Sequence, residues 1–127
     1  MSENTKTICS YLLELCSVAE LESEILDRIH RRIVQNFLDV IILMELKKRP
    51  LSSQDVMSFV RNKFSVLLNS DTVCSHLSAL EKDGLIKSES VERKTVYTST
   101  ERGEETAMAF LKAKDKILGL MLNLFVG

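Results

Sequence analysis

Tryptophan is absent, the other aromatics bring the total to only 6% of 127 residues, and turn formers are scarce at one proline and four glycines. A sandwich or barrel of many short strands needs frequent turns, so this scarcity excludes an all-β fold and predicts a mainly helical protein. The length suits one domain with its own core and is too short for two. The three cysteines, Cys9, Cys16 and Cys74, form no C-x-x-C pair. Cys9 and Cys16 would lie about 10 Å apart along one helix, beyond disulfide reach. Reduced thiols and a cytoplasmic location are therefore expected.

No hydrophobic run is long enough to span a bilayer: the most apolar one, "FLDVIILMEL", is broken by Asp39 and Glu45. The N-terminus "MSENTKTICSYLLELCSVAE" lacks the basic region, apolar run and cleavage site of a secretion signal. No membrane partner is expected. There is no H-E-x-x-H, phosphate loop or nucleophile elbow, and His30 and His76 stand apart from any cysteine or carboxylate motif. This predicts neither an enzyme nor a metal site or cofactor, and His76, near the edge of a buried helix face, reads as packing. Strong charge of either sign is missing too, with a net charge of −1. The distribution is uneven, −5 over residues 1–27 and +4 over the rest, a mild basic bias that helps nucleic-acid binding.

What the chain does have is helical periodicity. Apolar residues recur at helical spacing from Thr5 to about Lys48, including Ile8, Tyr11, Leu12, Leu15, Ala19, Leu26, Ile29, Ile33, Phe37 and Val40. The spacing fits one helix or two; the acidic cluster "ELESE" and a potential cap at Ser23 place a split, giving 5–20 and 24–48. Pro50 ends the run. Ser52 with Asp55 three residues on has capping-box spacing, and Val56, Phe59, Val60 and Phe64 make a short helix over 53–64. "SVLLNS" reads as a connecting loop with Ser70 as the next cap. Val73, Leu77 and Leu80 then line one helix face before Gly84 supplies a left-handed stop. "LIKSESV" and "TVYTS", joined by "ERK", read as a small hairpin. Thr100 caps a last helix over about 101–124, whose end, "ILGLMLNLF", is apolar nearly all round and too apolar to face water in a small monomer.

Helix, short helix, loop, helix, hairpin, helix is the order of a winged helix-turn-helix, here with extra N- and C-terminal helices. Its core would gather Val56, Val60, Val73, Leu77, Leu80, Ile86 and Tyr97. The words also match: "LEKDGLI" at 80–86, "VYTST" at 96–100 and "ERG" at 101–103 resemble the PadR-like winged-helix transcriptional regulators. The likeness covers roughly residues 37–110. Two positions depart from it: Ser53-Gln54 stands where a Gly-Tyr pair tends to open the second helix, and Cys74 where the recognition helix often carries tyrosine. The resemblance implies a DNA-binding regulator with a dimerising C-terminal helix. The expected organisation is an N-terminal helical extension over 1–36, a winged-helix domain over 37–103 and a dimerisation helix over 104–127.

On this reading the face of the third helix opposite its buried stripe presents Asp71, Ser75, Ser78 and Lys82, flanked by Thr72 and Ala79. These short side chains suit close approach to a major groove but offer none of the strong bidentate base contacts. Arg93 and Lys94 at the wing tip could meet phosphates, as could Ser53 and Gln54 at the start of the second helix, with Lys47, Lys48, Arg49, Arg61 and Lys63 around them. The expected partner is double-stranded DNA. Each of these residues also suits a solvated surface, and the same fold could serve as a protein-interaction module in a larger assembly without reading DNA. A homodimer interface is expected from Leu12 and Leu15 together with Leu118, Met121, Leu122 and Phe125. No residue singles out a small-molecule effector.

Overall fold

The computed structural model describes residues 20–126; Ile8, Leu12, Leu15 and the rest of the helix expected over 5–20 lie outside the described residues, save its last position. Residues 20–36 are continuously helical (α1), so "ELESE" does not split the segment and Ser23 sits inside a helix rather than capping one. Glutamate is a good helix former, and exposed acids cost a helix little, so an interrupted apolar stripe is not a broken backbone. The interruption falls instead at Phe37, whose backbone (φ −102, ψ 19) leaves helical geometry before α2, Leu38–Leu46. No side chain caps that start, and neither Gly nor Pro marks it in the sequence. Leu21, Ile25, Leu26, Ile29 and Ile33 are exposed along α1.

The chain divides between Gln35 and Asn36 into two units. In the second, α2 is followed by α3 (Ser53–Phe64), α4 (Ser70–Lys82), β1 (Ile86–Val91), β2 (Lys94–Ser99) and α5 (Glu101–Asn123). α2 is apolar nearly all round because it is central: it packs against α4, α5 and β2 and buries Leu38, Ile42, Leu43 and Leu46. Its buried Glu45 is matched by Arg49, whose Nε donates to Oε1 at 3.3 Å, and by Lys48 at 3.9 Å. Such pairing is what a carboxylate in that position requires.

α3 packs on α4, and the expected core residues Val56, Val60, Val73, Leu77, Leu80 and Ile86 are all buried, with Tyr97 partly so. Ser52 and Asp55 form the capping box in full: Ser52 Oγ accepts from Asp55 N at 3.1 Å and Asp55 Oδ2 from Ser52 N at 3.0 Å. α4 starts one residue earlier than expected. Ser70 is its first helical residue and Asn69 is the cap, its Oδ1 accepting from Asp71 N at 2.9 Å, since asparagine caps as well as serine does. The connection before it contributes to the core as well: Val66 and Leu68 are buried and Leu67 is 78% exposed, the alternation of an extended segment.

β1 and β2 pair antiparallel from Ile86↔Ser99 to Val91↔Lys94, leaving Glu92 and Arg93 as a two-residue turn. Leu51 adds a further bridge, exchanging hydrogen bonds with Tyr97 at 2.8 and 3.1 Å, which ties the base of the hairpin to the start of α3. Gly84 is left-handed (φ 79), as the stop after α4 requires. Thr100 then joins that stop to α5. Its Oγ1 donates to the Gly84 carbonyl at 2.7 Å and accepts from Gly103 N at 3.1 Å, and its own N donates to the Leu85 carbonyl at 3.0 Å. Gly103 is buried with no room for a side chain: a Cβ there would collide with the Leu85 carbonyl oxygen.

Gly103→Ala should destabilise the fold by about 3 kcal/mol by overpacking a backbone contact. Gly119→Ala, where an added Cβ meets nothing within 4 Å, should stabilise α5 by about 0.5–1 kcal/mol in urea unfolding. The carboxyl of Asp55 is held below its ordinary 3.8 chiefly by the Ser52 backbone donor. A depressed carboxyl stabilises the folded state fully above its unfolded value and loses that contribution as pH falls through the folded one. The stability difference between the wild type and Asp55→Asn should therefore shrink on acidification from pH 7 to about pH 2.5.

Candidate nucleic-acid interface

α4 turns Val73, Leu77 and Leu80 inward, which leaves Ser75, Ser78 and Lys82 exposed and Thr72 half-buried at the margin. Asp71 and Cys74 share the exposed surface. The outer face is thus narrow, short-chained and close to neutral, a surface that admits close contact without drawing a polyanion strongly by itself.

Positive charge comes from the wing. Arg93 and Lys94 are exposed, and both residues of the turn, Glu92 and Arg93, are left-handed at φ 51 and 68. A two-residue hairpin turn of this kind favours Asn-Gly; a glutamate and an arginine there hold the backbone in a region that costs each about 1 kcal/mol. The turn thereby presents two charged side chains where most tight turns present small ones.

Lys94 does more than decorate the tip. The Leu51–Tyr97 bridge lays the hairpin beside the start of α3, and Ser52, Ser53, Gln54, Lys94 and Thr95 line one open polar cleft of about 270 Å³. Ser53 and Gln54 are 41 and 40 residues from Lys94 in sequence, yet all three line this cleft at the N-terminal end of a twelve-residue helix. Free amides at a helix N-terminus, hydroxyls and an ammonium group are the donors that bind phosphate oxygens. Lys94 also lies near enough to Asp55 to help lower its carboxyl, after the Ser52 hydrogen bonds and the charge of Arg49. Thr95 joins the cleft unannounced by sequence, because its side of the strand is set only by the register of the pair. Arg93 does not line it.

Several cations expected around this region are engaged elsewhere. Arg49 and Lys48 serve Glu45, Lys47 Nζ lies 3.1 Å from Met108 Sδ, and Lys63 stands over the rings of Phe59 and Phe64 at 5.4 and 5.6 Å. His76 is part-buried at the edge of the α4 face and carries a polar contact as well: its Nδ1 lies 2.6 Å from Asp39 Oδ1 on α2. The helical spacing placed it correctly at the edge of the buried face, but its partner is 37 residues away and no local signal marks it. Tyr97 has its phenol pushed above the ordinary 10.0 by burial, with smaller contributions from the charges of Glu81 and Cys74. It remains a neutral hydroxyl at physiological pH.

The end of α5 and the turn after it are as apolar on the surface as they are in sequence: Leu118, Leu122 and Phe125 are 57%, 67% and 81% exposed, with Met121 partly so. Leu118 also lines a shallow apolar groove of about 310 Å³ between α2 and α5, with Val40, Met44, Phe110 and Ile117. Among the described residues, no group of His, Cys, Asp and Glu could hold a metal ion, and no helix is long and apolar enough to cross a membrane.

No protein-family model matches the chain, and no curated protein does. Solved structures do. A transcriptional regulator from Clostridium thermocellum is 25% identical, with a TM-score of 0.65, over 76% of this chain and 96% of that one. A PadR family transcription regulator from Clostridium difficile is 23% identical, with a TM-score of 0.60, over 72% of this chain and 99% of that one. Bacillus subtilis PadR in complex with operator DNA is 23% identical, with a TM-score of 0.54, over 58% of this chain and 46% of that one. Helix order, wing and terminal helix together give this chain the fold of the PadR-like winged-helix transcriptional regulators.

Proposed function

We propose that the protein is a sequence-specific DNA-binding transcriptional regulator that acts as a homodimer. The observation that carries this reading is the convergence of Ser53, Gln54 and Lys94 on one cleft beside the start of α3. The fold supports it, as does the fact that one similar structure, that of Bacillus subtilis PadR, is a complex with operator DNA. In this reading Ser53, Gln54 and Lys94 hold a backbone phosphate and Arg93 meets the neighbouring strand or groove. Thr72, Ser75, Ser78 and Lys82 face base edges in the major groove. Phosphate contacts supply most of the affinity and the short side chains of α4 the discrimination.

Homodimerisation is supported by the apolar surface of α5. A monomer that leaves Leu118, Leu122 and Phe125 in water exposes a patch that a second copy would cover, and two-fold symmetry would set two recognition helices on adjacent half-sites. The same fold acting as a docking module without DNA is the second reading. What favours it is the near-neutral outer face of α4, where Asp71 offsets Lys82.

Binding to a duplex should weaken steeply with salt, and Arg93→Ala with Lys94→Ala should reduce the slope of log affinity against log salt by about 2. An unchanged slope removes the wing from the mechanism, and a stable dimer that ignores every duplex at low salt selects the docking reading. Independently, Leu118→Glu with Met121→Glu should give monomers or aggregates by light scattering; an intact dimer would place the interface elsewhere.

A further inference from the structure

Two unlike devices hold α4 in place. One is the apolar stripe Val73, Leu77 and Leu80. The other is polar: His76 Nδ1 lies 2.6 Å from Asp39 Oδ1, in the first turn of α2. Apolar contact resists separation, but it is non-directional and tolerates small rolls of a helix about its axis. A hydrogen-bonded pair is directional and does not. Roll matters for this helix in particular, because Thr72, Ser75 and Ser78 are too short to follow a base edge that moves, as an arginine could.

We propose that Asp39 and His76 are positioning residues for α4: their bridge sets the roll of the recognition helix, and protonation of the imidazole tightens it, so that DNA binding is proton-sensitive. This rests on the DNA-binding reading given above. Imidazole is the side chain that changes charge between about pH 5 and 8, and the hydrogen bond a neutral imidazole donates to a carboxylate becomes an ion pair once the ring is protonated. The pair is open to solvent, at 28% and 47% side-chain exposure, so protons reach it without unfolding.

Other charges on the packed elements are accounted for. On α2, Glu45 is held by Arg49 and Lys48; on α3, Asp55 is bound to Ser52, Lys63 lies over two phenyl rings and Arg61 is exposed. On β1, Lys87 and Glu89 face each other at 3.9 Å. On α4 itself Asp71, Glu81 and Lys82 are exposed, and the helical neighbours of His76, namely Thr72, Val73, Ala79 and Leu80, carry no charge. Among the described residues, Asp39 supplies the ion pair of His76.

The test uses the full chain and a duplex recovered by selection from a random-sequence pool with the wild type. Affinity is followed by fluorescence anisotropy from about pH 8 to about pH 5.5. The wild type should gain about threefold in affinity towards the acidic end, the scale of one part-exposed bridge. His76→Gln, which keeps a donor that does not titrate, and Asp39→Asn, which keeps the shape without the charge, should lose that gain relative to the wild type. Retention of the full gain in Asp39→Asn overturns the proposal, because an imidazolium attracting phosphate directly would need no aspartate. If the wild type binds no duplex at low salt, the DNA-binding reading falls and amide hydrogen exchange decides the bridge alone. Protection of α4 that rises on acidification in the wild type but not in Asp39→Asn supports it, and equal protection in the two overturns it.

Discussion

The start of α5 reaches the turn after α4 with only a glycine between them. Gly103 lies against the Leu85 carbonyl, and Thr100 bonds the Gly84 carbonyl with its hydroxyl, the Leu85 carbonyl with its amide and the Gly103 amide as a cap. That junction fixes three things at once: where α4 stops, where the hairpin begins and returns, and the direction in which α5 leaves. The left-handed Gly84 and the side-chain-free Gly103 are both geometric necessities there. Phrases that look like separate motifs in the sequence, "KDGL" and "TERG", are the two halves of one contact.

From that junction the surfaces follow. With its end fixed, α4 buries a stripe of three residues and turns Ser75, Ser78 and Lys82 outward. The returning strand meets Leu51, which draws the wing to the N-terminus of α3 and sets Lys94 beside Ser53 and Gln54. Charge is economical throughout: most cations near the core are engaged with Glu45, Met108 or the Phe59 and Phe64 rings, so the exposed positive charge of the wing falls to Arg93 and Lys94. The turn accepts two left-handed, non-glycine residues to present them.

Much of this was legible in the residues because it is encoded locally. The Ser52–Asp55 box, the Thr100 cap on the Gly103 amide and the left-handed stop at Gly84 are short-range devices, and the stripes of α3 and α4 repeat at helical spacing. Where structure and sequence pattern part, the physical cause differs from case to case. "ELESE" looked like a break because the apolar stripe lapsed there, whereas helix continuity depends on backbone propensity, which glutamate satisfies. The cap of α4 shifted from Ser70 to Asn69 because two adjacent residues had equal capping chemistry. "SVLLNS" is the connecting loop its residues predict, and only the burial of Val66 and Leu68 within it goes unmarked, because a short irregular segment shows too few residues for a period to be read.

By itself, then, the sequence determined the helix and hairpin order, most caps and stops, and the apolar faces. All of these arise from interactions spanning a few residues or from a fixed repeat. Only the tertiary structure decided that Phe37 interrupts the helix, that His76 meets Asp39, that Lys94 and Thr95 close a cleft with Ser53 and Gln54, and that Gly103 admits no side chain. Apart from Phe37, each of these joins residues distant in the chain, and such pairs are chosen by how whole elements pack, which no local pattern of side chains records.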